Sequence, residues 1–178
     1  MKKFLVLLSA LTLAIGLAAC SSNDKEKTEK KEESKKEAAA PKVDVKKELV
    51  KFYSDLGNKI NAKDAELNAY VAKATKEDAK PEELPTAEDR AKASESAASV
   101  ASELNSIQVP AELKDQKADL EAAVKDYAAS YQAKADELKK ESPSLDASDE
   151  IFAQGEEKLG KAFEAAKLLP PSLGKQVN

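Results

Sequence analysis

The sequence has no histidine and no tryptophan, and only one cysteine and one arginine in 178 residues. Without imidazole there is no side chain that ordinarily titrates near neutrality, and zinc sites of the Cys/His type are excluded. A lone Cys20 leaves no intrachain disulfide. Arg90 as the sole guanidinium disfavours phosphate or nucleic-acid recognition, where bidentate arginine contacts carry much of the binding. Glycine is also scarce. Gly57, Gly155, Gly160 and Gly174 are scattered over the last 136 residues, so no glycine-rich phosphate loop is present.

What remains is Lys, Glu, Ala and a thin set of apolar residues. Residues 43–178 hold 27 Leu, Ile, Val and Phe, about one fifth of that stretch, near the boundary below which chains stay unfolded. Any core is therefore small. The same stretch contains 25 Ala against 13 Val, Ile and Thr together, which favours helix over sheet. Its length is that of a single domain.

Residues 1–20 read MKKFLVLLSALTLAIGLAAC. Lys2 and Lys3 precede an apolar stretch, Phe4 to Ile15, that is too short to span a bilayer comfortably. The stretch closes on Leu17-Ala18-Ala19-Cys20, and in this the sequence resembles a bacterial membrane lipoprotein precursor with its lipobox. The resemblance covers these twenty residues only. It implies S-diacylglycerol on Cys20, cleavage between Ala19 and Cys20, and a freed Cys20 amine open to N-acylation. Two acyl chains anchor stably where one is marginal. The expected product is held on the extracytoplasmic face of the cell membrane, and the plain lipobox with its Lys/Glu-rich continuation points to a single-membrane bacterium.

Residues 20–42 follow as a tether. Seven Lys and six acidic residues in 21–42 nearly cancel and bury nothing, so a disordered, solvated spacer is expected, spanning roughly 25 Å root-mean-square. Residues 43–178 then carry a net charge of −7. Such a domain is repelled by anionic lipid and by nucleic acid, and is expected to stand off the membrane.

Within 43–178 the apolar residues recur at helical spacing. Val45, Leu49, Phe52, Leu56, Ile60, Leu67, Val71 and Ala74 predict one long helix over about 45–79, with Asp44 as its N-cap and an interruption at Gly57-Asn58. Pro81 and Pro85 end it. Thr86 with Asp89 opens a second helix whose inner positions are Ala93, Ala97, Val100, Leu104 and Ile107. Pro110 is placed to begin a third, with Leu113, Lys117, Leu120, Val124, Tyr127, Tyr131, Lys134 and Leu138 along one stripe. A fourth is expected over 148–168, stopped by Pro170-Pro171 and followed by a short extended tail. Short connections make the expected fold all-α, an antiparallel four-helix bundle with two long and two shorter helices.

Candidate sites are few. The Ser/Ala run from Ala91 to Ser102 reads as a tightly packed seam or as a shallow groove. Tyr127 and Tyr131 at i,i+4 read as core residues or as a stacking surface. The acid pairs Glu82-Glu83, Glu88-Asp89, Asp149-Glu150 and Glu156-Glu157 point about 100° apart on a helix and read as solvated faces. No metal site or cofactor is expected, and weak calcium or magnesium binding at 82–89 is the only metal alternative. Carboxylate-driven glycoside hydrolysis would need an aromatic-lined cleft, so no enzymatic activity and no catalytic residue is expected. Two readings of function follow. One is an interaction or adaptor module holding another envelope protein near the membrane. The other is a ligand-binding lipoprotein that captures a small molecule, peptide or metal ion. Replacing Leu120 in the third helix by Asp is expected to abolish cooperative unfolding, and an unchanged melting curve would remove that helix from the core.

Overall fold

The computed structural model describes residues 44–177. Ala19, Cys20 and the segment up to residue 43, with the cleavage, lipidation and tether expected there, lie outside the described residues. Asp44 accepts the backbone amides of Lys46 and Lys47 and so starts α1, Val45–Asn61. α2 is Ala65–Ala74, α3 Ala87–Asn105, α4 Lys117–Glu137 and α5 Asp146–Ala165. Short 3-10 turns lie at Pro81–Glu83, Ala111–Leu113 and Leu173–Lys175. The all-α expectation holds. The count and the two-long, two-short pattern do not, because five helices are present among the described residues.

The difference arises at residues 62–64. The expected long helix breaks there and not at Gly57-Asn58. Asp64 competes poorly as a helix-interior residue, and the carbonyl of Lys63 accepts the Ser96 hydroxyl of α3 at 2.6 Å. Released from one straight rod, α2 lies along α3, while α1 leans on the end of α3 and on the Ala111–Leu113 turn. Gly57 stays inside α1 because it is a close-approach point, with the side chain of Gln176 resting where its Cβ would stand.

α4 is the central element, flanked by α3 on one side and α5 on the other. Leu120, Ala123, Val124, Tyr127, Ala128, Tyr131 and Ala135 of α4 are buried. Leu113 is buried as expected, but the next inward position is Gln116 and not Lys117, which is exposed. Pro110 does not open this helix either, since it precedes the 3-10 turn. The Ser/Ala run of α3 is a filled seam, with Ala93, Ser94, Ser96, Ala97, Val100 and Ala101 buried. Its small side chains admit neighbouring backbones, and Ser94 Oγ donates to the Ala135 carbonyl at 2.7 Å. The same device recurs where Ser130 Oγ donates to the carbonyl of Ser148.

The tail is not simply extended. Residues 166–177 turn back as a strap along α5 and α1, burying Leu173 and Val177. Tyr53 Oη donates to the Ser172 carbonyl at 2.9 Å, and Asn61 Nδ2 to the Gln176 carbonyl at 2.9 Å. Glu156 Oε1 accepts the amides of Leu173 and Gly174, at 2.7 and 3.2 Å, and the Tyr127 hydroxyl at 3.2 Å.

Two of the three buried helical glycines, Gly57 and Gly155, should respond differently to Ala. At Gly155 a Cβ would stand 2.7 Å from Cε1 of the fully buried Tyr127 ring. Gly155→Ala is expected to lose about 1–3 kcal/mol despite better helix propensity. Gly57→Ala need only displace the end of the flexible Gln176 side chain, so its stability should stay within about 1 kcal/mol of wild type. Urea denaturation of both variants checks this, and equal losses would refute the packing argument.

Candidate binding cleft between α2, α4 and α5

Because α1 and α2 are not one rod, α2 and α5 approach α4 from different directions and leave a gap between them. It forms a cleft of about 310 Å³, half open to solvent. Leu67, Asn68 and Val71 of α2 make one wall, and Asp149 and Phe152 of α5 the other. Tyr131 and Lys134 of α4 form the floor, while Gly174 and Val177 of the strap close one end.

The floor is held rigidly. The Phe152 ring packs against Tyr127 at 4.8 Å and against Tyr131 at 6.3 Å between centroids. Lys134 Nζ lies 5.5 Å from the Tyr131 ring centre and 5.7 Å from that of Phe152, in cation–π range of both. It also pairs with Asp149 Oδ1 at 2.9 Å. The two partners differ in freedom: the Lys134 side chain is 16% exposed and that of Asp149 is 64% exposed. A largely buried ammonium therefore faces a largely exposed carboxylate.

Behind the cleft, at the α1–α2 break, lies a buried acid. Asp64 is 3% exposed, and its Oδ2 has no hydrogen-bond partner among the described residues. Burial raises its pKa, opposed by a hydrogen bond with the Asn68 side chain. Tyr131 is affected in turn, since burial first, then the charges of Asp64 and Asp149, push its phenol well above the usual range. Burial and Glu156 do the same to Tyr127. Both tyrosines remain neutral donors at physiological pH. They are core residues that hold Phe152, and neither offers an open stacking surface.

The acid pairs have separate structural employments. Glu83 accepts the Lys80 amide and pairs with Lys76. Asp89 caps α3 through Thr86 and bonds Lys73 at 2.8 Å, and these contacts, Lys73 foremost, hold its carboxyl well below the usual range. Glu88 pairs with Lys92 and Glu157 with Lys161. Glu156 corrects the expectation of a solvated face, because it is drawn inward by the strap. Among the described residues no group of three acidic or sulfur ligands converges as a metal site. A second cleft, of about 250 Å³, lies between α1 and the 106–110 turn, around Phe52, Leu56, Ile107 and Pro110.

Sequence reasoning placed Lys134 on the apolar stripe but missed Asp149 as its partner, and it missed Asp64 and Asn68 altogether. The inward position of Lys134 was the available signal. Glu156 gave none, since two of its three partners are backbone amides. No protein-family model, curated protein or solved structure matches this chain.

The sign of the Asp64 effect is fixed by its raised pKa. The folded state holds this proton more tightly than the unfolded chain does. Its contribution to stability is full below the unfolded pKa and is lost as pH rises through the folded one. Asp64→Asn is therefore expected to raise neutral-pH stability by about 1 kcal/mol, with the advantage shrinking in acid. Melting temperatures across pH check this, and a destabilised variant at pH 7 would mean that the carboxylate has an essential partner.

Proposed function

We propose that this chain is a lipid-anchored extracytoplasmic adaptor of the cell envelope, without enzymatic activity, which holds a segment of another envelope protein in the α2–α4–α5 cleft. The lipobox ending in Cys20 supports the anchor, and the charged residues after it support a spacer between membrane and domain. The cell membrane of a single-membrane bacterium is the proposed location.

The observation that carries the partner reading is the contrast at the cleft between the largely buried Lys134 and the largely exposed Asp149. A partner carboxylate can take the place of Asp149 on the ammonium. An apolar side chain beside it fits among Leu67, Val71 and Phe152. The partly exposed Phe152 ring with a largely buried cation beside it has the composition of an interface hot spot. A cleft of about 310 Å³ that is half open lies at the lower end of small-molecule sites, which usually enclose most of their ligand. The second reading, capture of a small molecule or peptide, rests on the same cleft and is separated by experiment. Nucleic acid is not a proposed partner of an acidic chain with one Arg.

A photo-crosslinking residue at Val71 in cells is expected to trap one envelope protein, and the same residue at the remote exposed Glu121 should not. Val71→Asp should weaken that association about tenfold, or about 1.4 kcal/mol, while circular dichroism stays unchanged. Cys20→Ala should abolish it by releasing the chain from the membrane. Equal trapping at both positions sinks the cleft assignment. No trapping, together with a ligand-induced rise in melting temperature, would favour the capture reading.

A further inference from the structure

The end of the domain where the tether enters has a composition unlike the rest of its surface. α5 finishes in a Schellman turn: the Lys167 amide bonds the Glu164 carbonyl, the Leu168 amide bonds the Phe163 carbonyl, and Lys167 takes φ 57°. That turn sends Leu168 toward the core and leaves Leu169 outside, 89% exposed, braced by Pro170-Pro171. Among the described residues no other large apolar side chain is exposed beyond 49%. Lys46 Nζ lies 3.4 Å from the Lys167 carbonyl, which places the first turn of α1 beside this leucine. The outward face of the first two turns of α1 carries Lys46, Lys47 and Lys51 around Val50, itself 49% exposed, with Ser54 and Asp55 at its far edge.

We infer that this tip, Leu169 and Val50 with Lys46, Lys47, Lys51 and Lys167, is a second membrane contact that rests on the anionic lipid surface to which Cys20 is anchored. The inference rests on the anchored reading above. The position of the tip argues for lipid as the occupant. The chain running back to Cys20 leaves the domain at Asp44, two residues from Lys46, and only 23 residues separate Cys20 from Asp44. A tip so placed meets the bilayer at high effective concentration, so a weak contact becomes populated.

Charge decides where the domain touches. The acids around the tip are Asp44, Glu48 and Asp55 on α1 and Glu164 at the end of α5. Asp44 is engaged by the amides of Lys46 and Lys47, Glu48 faces the cleft toward the 106–110 turn, Asp55 lies a turn beyond Lys51 on the same face, and Glu164 is exposed. Of the four lysines, Lys47 alone has a carboxylate partner among the described residues, and that pair is long, 4.0 Å, and exposed. Four lysines offset four acids here, so within a domain of net −7 this end is close to neutral and is repelled by anionic lipid less than the domain as a whole.

The absence of tryptophan makes the test direct, and the single Cys separates it from biosynthetic lipidation. The chain from Cys20 onward, carrying Leu169→Trp, is coupled through Cys20 to maleimide lipid in vesicles of phosphatidylcholine with phosphatidylglycerol, or of phosphatidylcholine alone. Leu84→Trp, at the opposite end of the bundle, is the matched control with the same intrinsic interfacial tendency. For the Leu169→Trp chain, the expected result is a blue shift of the indole emission and quenching by lipid brominated near the headgroup. Both effects should be larger with phosphatidylglycerol and lost on adding Lys46→Glu and Lys167→Glu. Neither should occur in the Leu84→Trp chain. Equal behaviour of the two variants, or no shift for Leu169→Trp, overturns the inference. A blue shift without lipid quenching, growing with protein density, would overturn it in favour of a contact between copies of the chain. If cells fail to lipidate Cys20 while the maleimide-coupled chain responds as expected, the anchored reading falls and the tip's affinity for lipid stands.

Discussion

One oxygen, Glu156 Oε1, joins the parts of this domain that the helices alone do not join. It receives the Tyr127 hydroxyl of α4 and two consecutive amides of the strap, at Leu173 and Gly174. Charge-assisted bonds to backbone amides are strong, and a buried amide left without a partner is expensive. With the strap fixed there, Leu173 enters the core, Tyr53 and Asn61 of α1 find carbonyl acceptors, and the end wall of the cleft is set. α1 has few backbone approaches to the other helices apart from the end of α3 and the neighbouring turn. Its attachment to α5 runs through the Tyr53–Phe163 ring contact and the strap.

The thinness of the core explains why such polar ties matter. Alanine fills much of the space between α3 and α4, so helices approach closely but bury little apolar area per residue. Serine hydroxyls then contribute where a larger apolar side chain would not fit. Ser94, Ser96 and Ser130 each donate to a carbonyl of another element, and each leaves its own helix hydrogen bonds in place. The Ser96 bond to Lys63 also stabilises the break between α1 and α2. The small-residue seam and the cleft are thus two consequences of the same local choice.

The legible features were those governed by spacing. The buried stripe of α4, the presence of a helix ending before Pro170 and the Thr86–Asp89 capping box follow from local patterns, and the all-α class follows from composition. The break at 62–64 was not legible because the apolar period runs through it undisturbed. Only tertiary contacts, Ser96 on Lys63 and α2 against α3, distinguish a bent pair from a rod. The strap escaped for a related reason: its Leu173 and Val177 carry no periodicity, and its bonds are made by backbone to Glu156. The cleft depends on both features, so nothing in the local pattern could have outlined it.

The break also explains why a buried carboxylate is tolerated in so small a core. A continuous helix would carry residue 64 within a regular backbone, with its side chain directed by the helical period alone. In the bent arrangement Asp64 adjoins the α2 start, where an acid is favoured by the helix dipole. Asn68 supplies one bond, and the second oxygen is left bare. That bare oxygen opposes folding, and it lies directly behind the Tyr131 and Asn68 side chains that line the cleft. Stability is lost at the position where α2 is set apart from α5, as expected where local geometry serves an opening and not the packing. The domain therefore places a buried acid with a bare oxygen and a largely buried cation around one cleft.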